Sequence, residues 1–203
     1  MKRNHTSLYL FLTVLLISWI FSSLSAAQTE TPKANLPVLI TSCGQSPGPV
    51  MLKVILKKLN LDFELNSLAT VKDLRAKLNA GTPYKSLIIV MGASLKGMGA
   101  AGISIDNELD RISKLIEEAR RQGIKIVGAH IEGMKRRAQG AAVGDNTDEL
   151  SIDAVAPNSD LLIIKKAGNT DNRFTIIADE KKIPMIEVEK NSDLLTELKK
   201  VFN

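Results

Sequence analysis

Cysteine is almost missing from this chain: Cys43 is the single one among 203 residues. An internal disulfide is thereby excluded, and no C-x-x-C or H-E-x-x-H pattern offers a zinc site. Aromatic residues are scarce and badly placed for recognition. Tyr9, Phe11, Trp19 and Phe21 fall within the first 27 residues, leaving Phe63, Tyr84, Phe174 and Phe202 for the rest. A sugar or nucleobase site built on stacked rings is therefore not expected, and neither is nucleic-acid binding, which pairs a basic stripe with aromatic platforms. Long apolar runs are missing too. The longest, residues 8–21, is 14 residues broken by Thr13 and Ser18, short of the roughly 20 that a spanning helix needs. Recognition is left to polar side chains and backbone amides.

That apolar run has a different meaning in its context. Lys2 and Arg3 precede it, and Ser25-Ala26-Ala27 follows as a small-x-small cleavage site, so residues 1–27 read as a secretory signal peptide cut near Ala27. The alternative, a leader retained as an anchor, stays open. The expected location is exported, periplasmic or extracellular, with no stable membrane span after cleavage. The leader holds two basic residues and no acid, so the remainder has 25 basic residues against 22 acidic ones, a mild excess spread along helices. Residues 28–35 are polar with Pro32 and read as a linker, and residues 36–203 suit one domain with one core.

Within that domain, six strands alternate with helices. Strands are expected at 36–41, 61–66, 86–91, 124–129, 160–165 and 185–188. Residues 61–66 alternate apolar and polar, as a half-exposed edge strand does; the longer strands are apolar on both faces, as buried parallel strands are. The fold class is therefore α/β: a single three-layer domain with a mostly parallel sheet and helices on both faces, flavodoxin-like or Rossmann-like. The first helix, ending near Asn60, is expected to turn Met51, Val54, Ile55 and Leu59 inward. A short one capped by Thr70 should use Val71, Leu74 and Leu78. The longest, ending at Gly123, should bury Leu109, Ile112, Leu115, Ile116 and Ala119 and expose Glu117 and Glu118. A short helix over 149–155 follows a stretch, 134–148, that reads as a mobile loop.

Ligands of open parallel sheets bind beyond the carboxyl ends of the strands, where helix amino termini present free amides. Three stretches fit that edge: 42–46, 92–102 and 130–133, with 168–171 a fourth. They supply hydroxyls, glycines, a lysine, a thiol and an imidazole, a set suited to a small anion of carboxylate or phosphate type. The candidate ligand-binding residues are Ser42, Gly44, Gln45, Ser94, Lys96, Gly97, His130 and Glu132. Gly97-Met98-Gly99-Ala100-Ala101-Gly102 spells G-x-G-x-x-G, but Gly92 to Lys96 separate it from the strand and no acid ends the next strand. A dinucleotide cofactor is thus not expected, and no other cofactor or metal is indicated; the bland reading is a turn whose glycines let backbones pack closely.

A thiol-dependent hydrolase or transferase is the alternative. It would use Cys43 as nucleophile, His130 as base and Glu132 or Asp171 as the orienting acid, which requires Cys43 and His130 side by side. A third reading is an interaction module of an envelope complex, with a protein partner at the edge strand 61–66 or at Lys135, Arg136 and Arg137. That basic run reads either as a solvated, internally paired face or as a lid over an anion.

The strings L-P-V-L-I-T-S-C-G-Q-S-P-G from Leu36, M-G-A-S-L-K-G-M-G-A-A-G-I-S-I-D from Met91 and A-H-I-E-G from Ala129 resemble an uncharacterised family of exported bacterial α/β proteins, a domain of unknown function. The resemblance implies a bacterial envelope setting and transfers no catalytic residue.

Overall fold

A computed structural model describes residues 33–138 and 146–202. The predicted signal peptide, residues 28–32 of the linker and residues 139–145 of the predicted loop lie outside the described residues. Six strands form one sheet: β1 Val38–Cys43, β2 Phe63–Leu65, β3 Ser86–Met91, β4 Lys125–His130, β5 Leu161–Lys165 and β6 Met185–Val188. Their order is β2-β1-β3-β4-β5-β6, and every pairing is parallel. The expected α/β class and parallel sheet are both present.

Among the described residues, seven α-helices cover the sheet: α1 Gly48–Lys58, α2 Val71–Asn79, α3 Leu95–Ala101, α4 Ile105–Arg121, α5 Thr147–Val155, α6 Arg173–Lys181 and α7 Leu194–Val201. Alternation along each strand sends residues to two separate cores. Val38, Ile40, Ile88, Val90, Val127 and Ile163 pack against Leu52 and Leu56 of α1 and Leu194 and Leu198 of α7. On the other face Leu39, Leu87, Ile89, Ile126 and Leu162 meet Leu74 of α2, Ile112 and Leu115 of α4, Ile152 of α5 and Phe174 of α6. Fully burying a side chain of this size stabilises by about 1.5 to 3 kcal/mol. The chain reverses its winding direction between β1 and β3, so the crevice at their carboxyl ends is the topological switch point.

Local chemistry explains where the helices start. Thr70 donates both its amide and its hydroxyl to Asp73 at 2.7 Å, closing the first turn of α2. Ser94 accepts from the Gly97 amide at 3.1 Å and Ser104 from that of Asn107 at 3.2 Å, which starts α3 and α4. Gly102, with φ of 65°, ends α3 in the left-handed region. The linker's last residues are pinned to the domain: Ala34 donates to the Val201 carbonyl, and Asn35 exchanges two hydrogen bonds with the Ser86 hydroxyl.

Several expectations are corrected. Strand β1 runs two residues further than predicted because Thr41, Ser42 and Cys43 pair with Ile89, Val90 and Met91 along the full length of β3; Ser42 and Cys43 are strand residues, not loop residues. Helix α1 buries Leu52 and Leu56, keeps Met51, Ile55 and Leu59 half-buried against the same core as expected, and leaves Val54 exposed. Leu78 is exposed on α2. Glu118 is buried rather than solvated, held by Arg75 at 2.9 Å and Arg121 at 2.6 Å. The glycine-rich stretch after β3 forms helix α3 instead of an open loop.

Candidate functional site

The switch-point crevice does gather Gly44, Gln45, Ser94 and Gly97. Gly44 and Gln45 leave β1 in left-handed conformations, with φ of 108° and 55°, and Gln45 bridges to Ala93. The Ser94 amide donates to the Gly44 carbonyl at 2.7 Å. Gly97 lies against the Gln45 carbonyl so closely that a Cβ there would fall 2.1 Å from its oxygen. Of the motif's glycines, Gly97 alone therefore lets the helix pack onto the strand end; Gly102 ends the helix and Gly99 has nothing within 4 Å of its place for a Cβ.

The crevice is not open to an anion, because a carboxylate of the chain already fills it. Glu108, fully buried on α4, accepts from the Gly44 amide and from Gln45 Nε2, both at 2.8 Å. Arg111, one turn later, donates to both carboxylate oxygens of Glu108 at 3.0 and 2.9 Å. Its remaining donors reach the carbonyls of Ala69 and Ser42, each at 2.6 Å. The pattern repeats along the edge. Glu132 accepts from the Gly48 amide at 3.0 Å, Asp148 from the Ala93 amide at 2.6 Å, and the Ser151 hydroxyl from the Gly92 amide at 3.0 Å. Amides positioned to hold an anion hold the chain's own acceptors, and charge-assisted bonds of this kind are among the stronger ones.

Cys43 and His130 are both fully buried. Burial pushes the Cys43 thiol well above its ordinary range, with the nearby Glu108 charge adding to the shift. Cys43 pairs with Met91, and β3 pairs with β4 in the register Val90 to Ala129. His130 thus stands level with Cys43 but two strand spacings away, roughly 9 to 10 Å, with Met91 between them. The pairing that the thiol reading requires is absent. Burial also pushes the His130 imidazole down, so it stays neutral near pH 7. Its Nε2 lies 2.9 Å from the Arg136 carbonyl, its Nδ1 has no hydrogen-bond partner, and its ring packs on Phe174 at 5.0 Å. Ser42 is fully buried with an unpartnered hydroxyl. Lys96 is exposed on α3.

The basic run divides. Arg137 turns inward, with 1% of its side chain exposed, and pairs with Glu149 at 2.8 Å and Asp171 at 2.6 Å; it also donates to the Gly168 carbonyl and stacks over Phe174. The Arg137 guanidinium holds the Asp171 carboxyl down at about 2. Asp171 therefore orients an arginine, not His130. Arg136 and Lys135 turn the other way, into a cleft of about 410 Å³ between the carboxyl ends of β4 and β5 and the start of α1. Lys165 ends β5 there, Pro47 and Met51 supply its accessible apolar wall, and Glu132 is its one carboxylate among the described residues. Arg136 is committed to Glu132 at 3.2 Å and to the Ala93 carbonyl at 3.0 Å. Lys135 and Lys165 have no ion-pair partner among the described residues.

Sequence reasoning found Glu132, Lys135 and Arg136 but not Glu108, Arg111 or Lys165. Glu108 had left a signal: it precedes Ile112, Leu115 and Ala119 at helical spacing, so a carboxylate sits on an apolar stripe and needs a buried partner. Lys165 is a cation at the carboxyl end of an otherwise apolar strand, at the edge where ligands bind.

Among solved structures, the chain is similar to an acetyl xylan esterase, with 11% identity and a TM-score of 0.37 over 79% of this chain and 82% of that one. It is similar to a GDSL-like lipase from Bacteroides thetaiotaomicron, with 14% identity and a TM-score of 0.36 over 86% and 80% of the two chains. A comparison with curated proteins finds no match. The domain of unknown function DUF6305 matches residues 35–202, a span that takes in every strand and helix above, and the chain belongs to that family.

Proposed function

We propose that this is an exported protein that binds a small anionic ligand at the carboxyl edge of its parallel sheet, without catalysis, in the cleft lined by Lys135, Arg136 and Lys165. The observation that carries the reading is the pair of lysines, Lys135 and Lys165, lining one cleft with no acidic partner among the described residues. Export is supported by the leader pattern of residues 1–27. The site differs from the one expected at Ser42, Gln45 and Ser94, whose surroundings are taken by Glu108 and Arg111. The thiol reading gains no support from a buried Cys43 separated from His130 by a strand. The interaction reading gains none from β2, whose three residues are a short edge and whose Glu64 is paired with Lys77.

Isothermal titration of the protein with succinate, butyl phosphate, butyrate and inorganic phosphate, at low salt, checks this. Binding of at least one is expected, weakened tenfold or more in the double variant Lys135→Ala, Lys165→Ala. Truncating these partly exposed lysines should leave stability within about 0.5 kcal/mol, so lost binding would not reflect lost folding. No heat with any of the four, or unchanged affinity in the double variant, would overturn the proposal.

A further inference from the structure

Resting on that reading, we propose that the ligand is a small aliphatic dianion, a dicarboxylate or a phosphate monoester, and not a monocarboxylate or a bare inorganic ion. The charge follows from the cleft's own pairing. Its three cations face one carboxylate, Glu132, and that carboxylate is bonded to Arg136. Arg136 has a second commitment to the Ala93 carbonyl, so its fork is not free to clamp a ligand. The excess is therefore two positive charges, carried by Lys135 and Lys165, which act as separate point charges on flexible stems. A monoanion would neutralise one of them and leave the other uncompensated. A ligand with two negative charges satisfies both.

The body of the ligand follows from volume and lining. A cleft of about 410 Å³ falls in the range of about 300 to 1,000 Å³ typical of organic-ligand sites. Since a water's share of liquid volume is about 30 Å³, a phosphate ion alone would leave most of the space wet. Pro47 and Met51 give the cleft an accessible apolar wall, with no aromatic ring in it among the described residues. Such a wall takes a hydrocarbon segment by burial and offers no stacking platform, so the body is aliphatic.

Calorimetric titration with succinate, butyl phosphate, butyrate and inorganic phosphate separates the possibilities. Succinate or butyl phosphate should bind at least tenfold more tightly than butyrate and than inorganic phosphate, and the better of the two names the head group. In Lys135→Ala or Lys165→Ala alone, the preference for the better dianion over butyrate should fall by at least threefold, a change that a merely structural role for either lysine would not produce. Butyrate binding as tightly as both dianions would overturn the dianion assignment while leaving an anion cleft in place. Inorganic phosphate binding as tightly as butyl phosphate and succinate would overturn the aliphatic body. If none of the four binds, this inference and the proposed function fail together.

Discussion

Glu108→Ala is expected to destabilise the protein by about 3 to 5 kcal/mol, the usual cost of breaking a buried ion pair from one side. Three donors lose their acceptor at once: the Gly44 amide, Gln45 Nε2 and the Arg111 guanidinium. The last is the most costly, because Arg111 has 10% of its side chain exposed and cannot turn to water. Arg111 also ties the Ser42 and Ala69 carbonyls together, so an uncompensated charge there disturbs the ends of both β1 and the loop before α2. Glu108→Gln keeps an acceptor for Gly44 but removes the charge, and should fall between alanine and wild type. Urea unfolding with the slope held common measures both. A loss below about 1 kcal/mol for alanine would mean that water or a rearranged Gln45 replaces the carboxylate.

The second large effect contrasts two glycines of one motif. Gly97→Ala should cost at least about 3 kcal/mol, at the upper end of overpacking penalties, whereas Gly99→Ala, two residues on, should be neutral or stabilising by up to about 1 kcal/mol. A Cβ on Gly97 would meet the Gln45 carbonyl oxygen at 2.1 Å, and Gln45 is held by its own left-handed backbone and by two side-chain bonds. Backbone fixed this way has no low-energy route out of the clash. A Cβ on Gly99 has nothing within 4 Å and would only strengthen helix α3. Thermal unfolding of the two variants measures the contrast; equal effects would show that helix propensity rather than helix-to-strand packing decides both sites.

The fold was largely legible because its strongest signal is periodic. Residues 87–91 and 161–164 are apolar without a break, and only a strand covered on both faces tolerates that; the alternation of residues 61–66 likewise marked the edge strand β2. Strand order was not legible, since parallel partners are separated by whole helices and the pairing is decided by packing. The site was legible only in part. Glycines and hydroxyls after β1 and β3 were rightly placed at one rim, but local sequence cannot say that Glu108, more than sixty residues from Gly44, occupies the same crevice. The chemistry that suggests an anion site, free amides at strand ends, is the same chemistry that an internal carboxylate satisfies. Arg136 and Arg137 show the other limit: adjacent in sequence, they point into different surroundings, one into the cleft and one into a buried pairing with Glu149 and Asp171.

The most direct test is a backbone amide NMR titration of the protein with succinate, followed residue by residue. Shift changes should concentrate at Lys135, Arg136, Lys165 and Asn191, which line the cleft, while Gly44, Gln45 and Gly97 stay unmoved because Glu108 retains the switch-point crevice. Shifts centred on Gly44, Ser94 and Gly97 with a silent cleft would contradict it, placing the anion where the chain's own carboxylate now sits.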